Sequence, residues 1–376
     1  MRDVIVAGGG PAGLAVAAEA ARRGLDVLLL ERRALPADKA CGEGLLPGAL
    51  SALAELGALR HLDPEGSFPF RAIRWISEDG TEARAELPAP HGLGVRRLSL
   101  SAALLARARE LGAEVRDRTA LEGHRVEEDA VVAFPGGGEE VRARLLVAAD
   151  GLASPVRERA GLGLPAAGPR RFGVRRHFAL PPWTDSVEVH FSPGAEAYVT
   201  PVGPRRVGVA FLFEEGVRPG YPALLARFPR LAGRLGAAPF DSALAGAGPL
   251  LRRASSRVQG RLVLAGDAGG YVDALTGEGL SLALESACSL GEALPEALAR
   301  GAGAGSLRAW EREVASRYRR SAAFARLALA LARRPVLRRG AVAALSRSPR
   351  LFSHLVALAV GEGPPRRSGH WSAVRG

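Results

Sequence analysis

The chain opens with short apolar runs that contain no polar residue. Residues 4–7 and 27–30 form two such runs, which are typical of strands buried on both faces of a parallel sheet. Between them, small apolar residues recur at helical spacing and Gly24 follows the last of them, which predicts a helix packed closely on the sheet. Similar runs return at 145–149 and 262–264. The pattern therefore predicts an α/β fold with a parallel sheet that is left and resumed along the chain.

Other stretches alternate strictly between polar and apolar residues. Residues 71–77 and 81–87 flank a turn and indicate an antiparallel hairpin inserted into the parallel fold. Period-two alternation also runs through successive segments of 172–213. This pattern indicates an antiparallel sheet with one buried face and one face available to cover a ligand.

These patterns divide the chain into three parts. We predict a discontinuous Rossmann-like domain, an inserted β-sheet domain that binds the substrate, and a helical C-terminal region with breaks at Pro335 and Pro349. The predicted boundaries are 1–68, 95–168 and 254–300 for the first part, 69–94 and 169–253 for the second, and 301–376 for the third.

A glycine turn joins the first strand to the first helix. It fits the pattern G-x-G-x-x-G, in which the first glycine makes the turn, the second lets a pyrophosphate approach the backbone, and the third lets the helix pack on the strand. The helix would direct free N–H groups and its positive dipole end at the pyrophosphate. An acidic residue about twenty positions later is placed to hold ribose hydroxyls. The predicted binding residues of this corner are Gly8, Gly10, Pro11, Ala12, Gly13, Glu31 and Arg32.

Two later strand ends also carry glycine beside an acidic residue. Asp150 and Gly151 follow one strand, and Gly266 and Asp267 follow another. The carboxyl ends of parallel strands meet at one edge, so we expect all three corners to converge there. A nicotinamide dinucleotide needs the first corner alone. Flavin adenine dinucleotide (FAD) also needs its ribityl chain and ring held, and Asp267 could accept a hydrogen bond from a ribityl hydroxyl.

A further turn, at Gly277, Glu278 and Gly279, opens a long predicted helix near the same edge. Its backbone donors and dipole could face the N1 and O2 edge of a flavin, where negative charge accumulates on reduction. Glycine is needed there because a side chain would push the ring away. The turn is therefore part of the predicted cofactor site.

Composition limits the remaining possibilities. The 376 residues are 47% hydrophobic and 24% charged, which suits a large core and two or three domains. The first strand leaves no room for a signal peptide and no apolar run approaches the ~20 residues of a membrane span, so a cytoplasmic protein is expected. Cys41 and Cys288 are the two cysteines, and the seven histidines lack ligand spacing. We therefore expect neither a disulfide framework nor a bound metal.

The net charge of +12 is concentrated in the last part of the chain. Residues 301–376 contain 15 arginines and three glutamates, so the first 300 residues are neutral overall. The segments 322–332 and 336–345 are amphipathic and basic. They could contact an anionic membrane as a peripheral partner, or cover the flavin domain with the arginine heads in water. Nucleic-acid binding is not expected, because no aromatic residues are interleaved with the arginines.

The three corners together resemble the FAD-dependent aromatic hydroxylase superfamily, which includes geranylgeranyl reductases and flavin halogenases. The resemblance is carried by residues 8–13, 149–151 and 266–268 and covers almost all of the first 300 residues. It implies that Arg97 contacts FAD. Residues 39–44 and 273–279 are similar to the geranylgeranyl reductase-like branch. The tryptophan motif and catalytic lysine of the halogenases are missing, so chlorination is not expected.

Cys41 and Glu43 lie in a glycine-containing loop near the predicted flavin position. Lys39 and a helix N-terminus could lower the pKa of the Cys41 thiol, or Cys41 could be a small residue packed at the domain joint. Glu43 could donate a proton beside the flavin, or cap the helix that follows it at 47–56. Both residues are candidate catalytic groups.

Several candidates lie on the substrate sheet. His177, His190 and Arg175 occupy its polar alternates, and either histidine could point into a cavity as an acid or base, or all three could lie on a solvated face. Aromatic residues could line an apolar pocket or simply pack the core. The predicted substrate contacts are Tyr198, Phe211 and His177, with Trp183 and Phe213 as further aromatic candidates. The candidate catalytic histidine is His190.

The resemblance implies a single-component FAD-dependent oxidoreductase. The function expected first is hydroxylation of a hydrophobic aromatic or polyketide-like molecule of secondary metabolism, through a flavin C4a-hydroperoxide. NAD(P)H would be a transient electron donor, since no second dinucleotide fingerprint exists. The alternative is a geranylgeranyl reductase-like enzyme that reduces isoprenoid C=C bonds. A hypothesis of another class is a membrane or nucleic-acid binding protein that keeps FAD as a structural element.

Overall fold

The computed structural model describes residues 1–165, 168, 170–216 and 220–360. Its strands are β1 (Arg2–Ala7), β2 (Val27–Leu30), β3 (Gly44–Leu45), β4 (Ser67–Phe70), β5 (Ala72–Ile76), β6 (Glu82–Glu86), β7 (Gly92–Val95), β8 (Glu114–Arg116), β9 (Leu121–Val126), β10 (Val131–Pro135), β11 (Val141–Ala148), β12 (Gly163–Leu164), β13 (Arg171–Phe178), β14 (Ser186–Ser192), β15 (Ala195–Gly203), β16 (Arg206–Glu214), β17 (Ala245–Ala247), β18 (Arg253–Ala254), β19 (Val258–Gln259) and β20 (Leu262–Leu264). Its α-helices are α1 (Pro11–Arg22), α2 (Pro47–Leu56), α3 (Arg97–Glu110), α4 (Pro155–Arg159), α5 (Tyr221–Ala226), α6 (Pro229–Leu235), α7 (Gly279–Ala299), α8 (Arg308–Ala332), α9 (Pro335–Arg347) and α10 (Pro349–Val360).

The first sheet has the order β19-β20-β11-β1-β2-β8, and β10 and β9 continue it from β11. β1 pairs in parallel with β11 and β2, and β20 and β8 extend the parallel part on either side. Val4 and Val6 pack into the apolar cluster under α1, α3 and α7, whereas Ile5 and Ala7 pack into a second cluster on the other face. The strand is buried on both faces, which confirms the predicted α/β fold.

The second sheet has the order β17-β13-β16-β15-β14-β5-β6. Its neighbours are antiparallel except for β14 and β5, which are parallel. The predicted hairpin is therefore part of the same sheet as the alternating segments after residue 170. On its outer face, Phe211, Tyr221, Phe228 and Leu231 form one apolar cluster that holds α5 and α6.

A small sheet of β3, β7 and β4 lies where these two parts meet. β7 and β4 contact β15 of the second sheet. Thr200 Oγ1 on β15 donates a 2.7 Å hydrogen bond to Gly42 O, just before β3. These contacts fix the 39–44 loop between the first and second sheets.

The last three helices continue from α7 and reach the second sheet. Pro335 and Pro349 begin α9 and α10, in agreement with the predicted breaks. Val342 and Phe352 pack with Phe70 and the inner residues of β6, so α9 and α10 cover the second sheet. The expectation that this region covers the flavin domain is therefore wrong for these two helices. Residues 361–376 of the predicted C-terminal region lie outside the described residues. Within the described residues, no helix is both long and apolar enough to cross a membrane.

Candidate cofactor and substrate site

A cavity of about 1170 Å³ runs between the carboxyl edge of the first sheet and the second sheet. Its wall contains residues of all three glycine corners: Gly10 from the first, Asp150 and Gly151 from the second, and Gly266 and Asp267 from the third. The structure therefore brings together three sequence segments that are more than a hundred residues apart.

The glycines of the first corner have different surroundings. Gly8 has φ +110°, and a Cβ on Gly13 would overlap the carbonyl oxygen of Gly8, so these two positions shape the turn and the close helix packing. A Cβ on Gly10 would meet no atom within 4 Å. Gly10, Pro11 and Ala12 line the cavity, and no side chain caps the N-terminus of α1. The free N–H groups of α1 are thus exposed to the cavity and suit a phosphate.

The carboxylate of Glu31 holds the turn itself. Its Oε2 accepts a 2.6 Å hydrogen bond from Gly9 N, and its Oε1 accepts a 3.0 Å bond from Arg33 N. Glu31 is buried and is not among the cavity-lining residues, whereas Arg32 and Arg33 line the cavity. Contact between Glu31 and a ribose remains a prediction.

Two cationic side chains line the cavity without a carboxylate partner among the described residues. Lys39 and Arg97 both line the cavity, and Arg97 is 9% exposed. Within the described part of the chain, neither side chain donates a hydrogen bond or forms an ion pair. Burial lowers the pKa of Lys39, and the nearby Arg97 cation lowers it further. An anionic group in the cavity would relieve this repulsion.

Two carboxylates on the same wall have oxygen atoms that accept no hydrogen bond from the described residues. Asp150 Oδ1 is buried with no partner among the described residues, while its Oδ2 accepts a 3.2 Å bond from Val156 N. Burial raises the pKa of Asp150 and also that of Asp267. Asp267 forms no side-chain hydrogen bond within the described residues. Both carboxylates therefore offer free acceptors to the hydroxyl groups of a ligand.

The turn before α7 places its residues on two sides. Gly277, with φ +72°, and Gly279 line the cavity. The Glu278 side chain points towards α8, where its Oε2 accepts a 2.7 Å hydrogen bond from Ser321 Oγ. The structure therefore gives the Glu278 carboxylate a role in joining α7 to α8, and contact of this side chain with a cofactor remains a prediction.

Glu43 lines the cavity and caps a helix, but not the predicted one. Its φ of +61° lies in the left-handed region, and its Oε1 accepts a 2.8 Å hydrogen bond from Arg97 N in the first turn of α3. The N-cap of α2, Leu46, has no side-chain cap. The capping interpretation for the helix at 47–56 was therefore wrong, since the partner lies 54 residues further along the chain.

His177 and Arg175 are fully buried, so the solvated-face interpretation is wrong for both. His177 Nε2 lies 2.5 Å from Glu43 Oε2, and His177 Nδ1 lies 2.9 Å from Ser242 Oγ. Arg175 Nη2 donates to Asp38 Oδ1 at 2.5 Å. A network of hydrogen-bonded polar side chains therefore lies behind the cavity wall at this point.

His190 lies on the other face of β14. The residues of this strand that line the cavity are Val187, Val189 and Phe191. His190 Nε2 lies 3.0 Å from Glu188 Oε2, on the opposite side of the strand. This placement separates His190 from any occupant of the cavity, so the expectation that it could point into the cavity was wrong.

Cys41 lines the cavity, but its surroundings do not activate it. Burial raises the pKa of its thiol, and the Glu43 carboxylate raises it further, against a lowering by the Arg97 cation. The hypothesis that Lys39 and a helix N-terminus lower this pKa is therefore wrong.

The predicted substrate contacts divide between the two faces of the sheet. Tyr198 lines the cavity and donates a 2.8 Å hydrogen bond to Leu275 O. Phe211 borders the cavity, but its ring packs on the outer face against Tyr221 and Phe228, at centroid distances of 4.9 and 5.5 Å. Contact of Tyr198, Phe211 or His177 with a substrate remains a prediction.

The far end of the cavity is apolar and was not predicted. It is formed by the inner face of the second sheet and by the last three helices. Its lining includes Leu46, Phe70, Ile73, Trp75, Phe324, Leu327, Leu331, Ala341, Val342, Leu345, Phe352, Leu355 and Val356. Alternation within β5 could have indicated Trp75, but no local pattern showed that α8 to α10 fold back over this strand.

Comparison with known proteins agrees with this geometry. The sequence model of the FAD binding domain family matches residues 1–208, and digeranylgeranylglycerophospholipid reductase 1 of Methanopyrus kandleri is 32% identical over 326 residues. The chain belongs to the FAD-dependent aromatic hydroxylase superfamily, in its geranylgeranyl reductase-like branch. That alignment covers 79% of this flavoprotein and 81% of the reductase. FAD is the cofactor of this chain.

Two other proteins are similar over much of the flavoprotein. The dialkyldecalin synthase of Streptomyces rugosporus is 31% identical over 301 residues, which cover 77% of this chain and 64% of that protein. A flavoprotein/dehydrogenase from Cytophaga hutchinsonii has a crystal structure that superposes with a TM-score of 0.84 over 96% of this chain and 93% of that one. At 19% identity, this second similarity shows the fold alone.

The residues of the flavoprotein fit FAD. The pyrophosphate would lie against Gly10 and the N-terminus of α1, where space is open, with Arg97 and Lys39 as cations that lack partners. Asp150 and Asp267 would accept hydrogen bonds from hydroxyl groups of the cofactor. Lys39 is the only lysine of the sequence, but its position as a buried cation in the cavity wall is visible only in the fold.

Proposed function

We propose that this flavoprotein reduces carbon–carbon double bonds in an elongated, mostly hydrocarbon substrate such as an isoprenoid chain. The observation that carries the proposal is the continuity of one cavity from the glycine corners to the apolar end under α8 to α10. An extended chain could lie along this cavity with one double bond beside the cofactor corners. Burial of the remaining hydrocarbon would supply roughly 25 cal/mol of binding energy for each Å² of apolar surface removed from water.

The residues of the chain have separate roles in this proposal. FAD, when bound, supplies the electron pair as a hydride. Lys39 and Arg97 hold the anionic part of the cofactor, and the apolar walls keep water from the reacting carbons. Glu43, on the wall between the two ends, gives a proton to the second carbon of the double bond. NAD(P)H is the proposed source of electrons.

The similarity to the Methanopyrus reductase supports this assignment, since it extends over four fifths of that protein. The name of that reductase specifies a lipid with geranylgeranyl chains. A chain of that kind matches the apolar end of the present cavity in chemistry.

The test is an anaerobic assay with FAD-loaded protein, NAD(P)H or dithionite, and geranylgeraniol or a geranylgeranyl ether lipid. Mass spectrometry should show products that have gained two hydrogens for each double bond reduced. Shorter alcohols with the same terminal unit should react more slowly, because they leave the apolar end unfilled. Absence of reduced products with every chain length, in protein that retains FAD and is reduced by dithionite, would contradict the proposal.

A second candidate is hydroxylation of a hydrophobic aromatic or polyketide-like molecule with NAD(P)H and oxygen. It is favoured by the aromatic side chains Phe70, Trp75, Phe191 and Tyr198, which line the cavity and suit a flat ring. Oxygen uptake that depends on such a substrate, together with a product one oxygen heavier, would identify this reaction. A reductase works equally well or better without oxygen.

We also propose that the last helices contact an anionic membrane surface. Six large apolar side chains of α8 to α10 are exposed, and they include Leu327 at 69%, Val336 at 79% and Leu358 at 68%. Arg339 and Arg350 are exposed on the same helices, and Arg333 and Arg334 are exposed in the turn between α8 and α9. Leu327 and Leu355 also line the apolar end of the cavity, so a lipid substrate could enter directly from the bilayer.

A further inference from the structure

Three side chains connect the surface loop before β17 with the cavity wall. Ser242 Oγ lies 2.9 Å from His177 Nδ1, and His177 Nε2 lies 2.5 Å from Glu43 Oε2. Ser242 is partly exposed, His177 is fully buried, and Glu43 lines the cavity. We propose that Ser242, His177 and Glu43 form a proton relay from solvent to the cavity.

The hydrogen bonds provide a path for a proton from Ser242 through the ring to Glu43. Ser242 Oγ accepts a 3.0 Å bond from His177 N, which leaves its hydroxyl proton free to be donated to His177 Nδ1. When Nδ1 itself carries a proton, the same oxygen has a second lone pair to accept it. Arg175 Nη1 also lies 3.3 Å from His177 Nδ1, so the tautomer with its proton on Nε2 satisfies Arg175, Ser242 and the Glu43 carboxylate together.

The charges around the ring leave His177 free for this role. Arg175 Nη2 lies 3.5 Å from Glu43 Oε1 and also pairs with Asp38, so the Glu43 carboxylate has a permanent counter-ion. The charged groups beside the ring itself are Arg175, whose Nη1 lies 3.3 Å from His177 Nδ1, and Asp241, which is paired with Arg206. His177 is therefore not needed as the cation that neutralises Glu43.

The position of Glu43 is held by the surrounding backbone. Its left-handed φ is uncommon for a residue with a side chain, and its O accepts a 2.8 Å bond from Val95 N while its Oε1 accepts from Arg97 N. A Cβ on Gly208 would lie 3.2 Å from Glu43 Oε2, so a larger residue there would crowd the carboxylate. The carboxylate is thus held in one place between the ring and the cavity.

The relay rests on the proposed function and completes its proton balance. For each double bond, one carbon takes a hydride from reduced flavin and the other takes a proton from Glu43, so a C=C π bond is replaced by two C–H bonds. The Glu43 carboxylate then takes a proton from His177, and His177 takes one from solvent through Ser242. The electrons come from the nicotinamide donor, and one proton enters the protein in each cycle.

The first test compares Ser242→Ala and His177→Asn with the control Ser67→Ala, whose hydroxyl bonds the carbonyl of Asp63 at the surface. In the holoenzyme, we expect both relay variants to slow flavin reoxidation by a geranylgeranyl substrate at least about tenfold and to change the solvent isotope effect. Flavin reduction by the nicotinamide donor and the KM for substrate should match the control. Rates and isotope effects equal to those of the control in both variants would overturn the relay.

The second test needs no turnover and so separates the relay from the proposed reaction. In holoenzyme labelled with ¹⁵N-histidine, the rate at which the His177 ring proton exchanges with solvent is measured by NMR. We expect slower exchange in Ser242→Ala, because its path to solvent is cut. Equal or faster exchange would overturn the relay even if double bonds are reduced, whereas slower exchange without any reduction would contradict only the proposed function.

Discussion

Arg171 on β13 lies between two buried carboxylates, with its Nε 2.9 Å from Asp273 Oδ2 and its Nη2 2.6 Å from Glu196 Oε2. The three side chains are at most 4% exposed. Asp273 belongs to the segment that leads into the cofactor turn at 276–279, and Leu275 N bonds its Oδ1 at 3.0 Å. This group therefore joins the substrate sheet to the cofactor turn.

Replacing Arg171 should destabilise the protein strongly. Arg171→Leu leaves two buried carboxylates without a cation, and we expect a loss of about 3–5 kcal/mol in the free energy of unfolding near neutral pH. Burial raises the pKa of Glu196 and Asp273 and the Arg171 cation lowers it, so in the variant these pKa values rise further. The folded variant then binds more protons than the folded wild type, and the loss should shrink as the pH falls. Urea denaturation of the FAD-loaded protein at several pH values measures this loss in the free energy of unfolding.

The matched control is the neighbouring Arg170→Leu. Arg170 pairs with Glu215 at 2.8 Å, but its side chain is 56% exposed, so less than about 1 kcal/mol should be lost. Equal losses for the two variants would contradict the assignment of a buried ionic joint.

Two glycines of the first corner should respond differently to alanine. Gly13→Ala forces a Cβ onto Gly8 O and should lower the stability of the FAD-free protein. Gly10→Ala meets no protein atom and should leave that stability unchanged, but weaken FAD binding by about tenfold or more because the pyrophosphate approaches there. Thermal melting and flavin titration distinguish the two effects, and an unaltered FAD affinity in Gly10→Ala would place the pyrophosphate elsewhere.

Lys39 should make stability depend on pH in the absence of FAD. Its pKa is lowered in the folded state, so the unfolded state binds more protons between that value and the ordinary value of 10.5, and stability should rise with pH across this interval. Lys39→Met should stabilise the FAD-free protein at neutral pH, weaken FAD binding and remove this slope. A Lys39→Met variant that is less stable without FAD would show that the ammonium already has a partner.

The apolar end should set the preferred chain length. Ala341→Phe places a ring in the cavity lining, and we expect the rate with twenty-carbon isoprenoids to fall at least about fivefold while ten-carbon analogues react as before. Ala330→Phe, on an exposed surface of α8, is the control. Equal effects of Ala341→Phe on both lengths would show that the substrate does not reach α9.

The exposed leucines should govern membrane contact. Flotation with vesicles of phosphatidylglycerol should recover the wild-type protein, and the double variant Leu337→Asp with Leu358→Asp should reduce the recovered fraction several-fold. Leu164→Asp, which changes an exposed leucine on β12, should have no effect. Recovery of the double variant at the wild-type level would exclude these helices as the contact surface.

The sequence predicted the features whose partners are local. The glycine turn, the start of α7 at Gly279 and the helix after Pro47 follow from spacing and from backbone preferences within a few residues. The convergence of the three corners followed from the rule that parallel strands share a carboxyl edge.

The predictions failed where a side chain finds a distant partner. Glu43 could be recognised as a cap, but the helix that it caps begins 54 residues later. Alternation placed His177 and His190 on polar positions of their strands, yet it could not show which face of each strand meets the cavity. Lys39 lies close enough to Cys41 in sequence to suggest activation, but burial of the thiol has the larger effect.

The apolar end of the cavity is built mainly from a segment that the cofactor corners do not use. Helices α9 and α10 lie against the second sheet and α8 connects them to α7, while the glycine corners belong to the first sheet. Replacing these helices with those of a relative that handles a different molecule should therefore redirect selectivity without altering electron transfer, which makes the C-terminal helices a natural module for engineering.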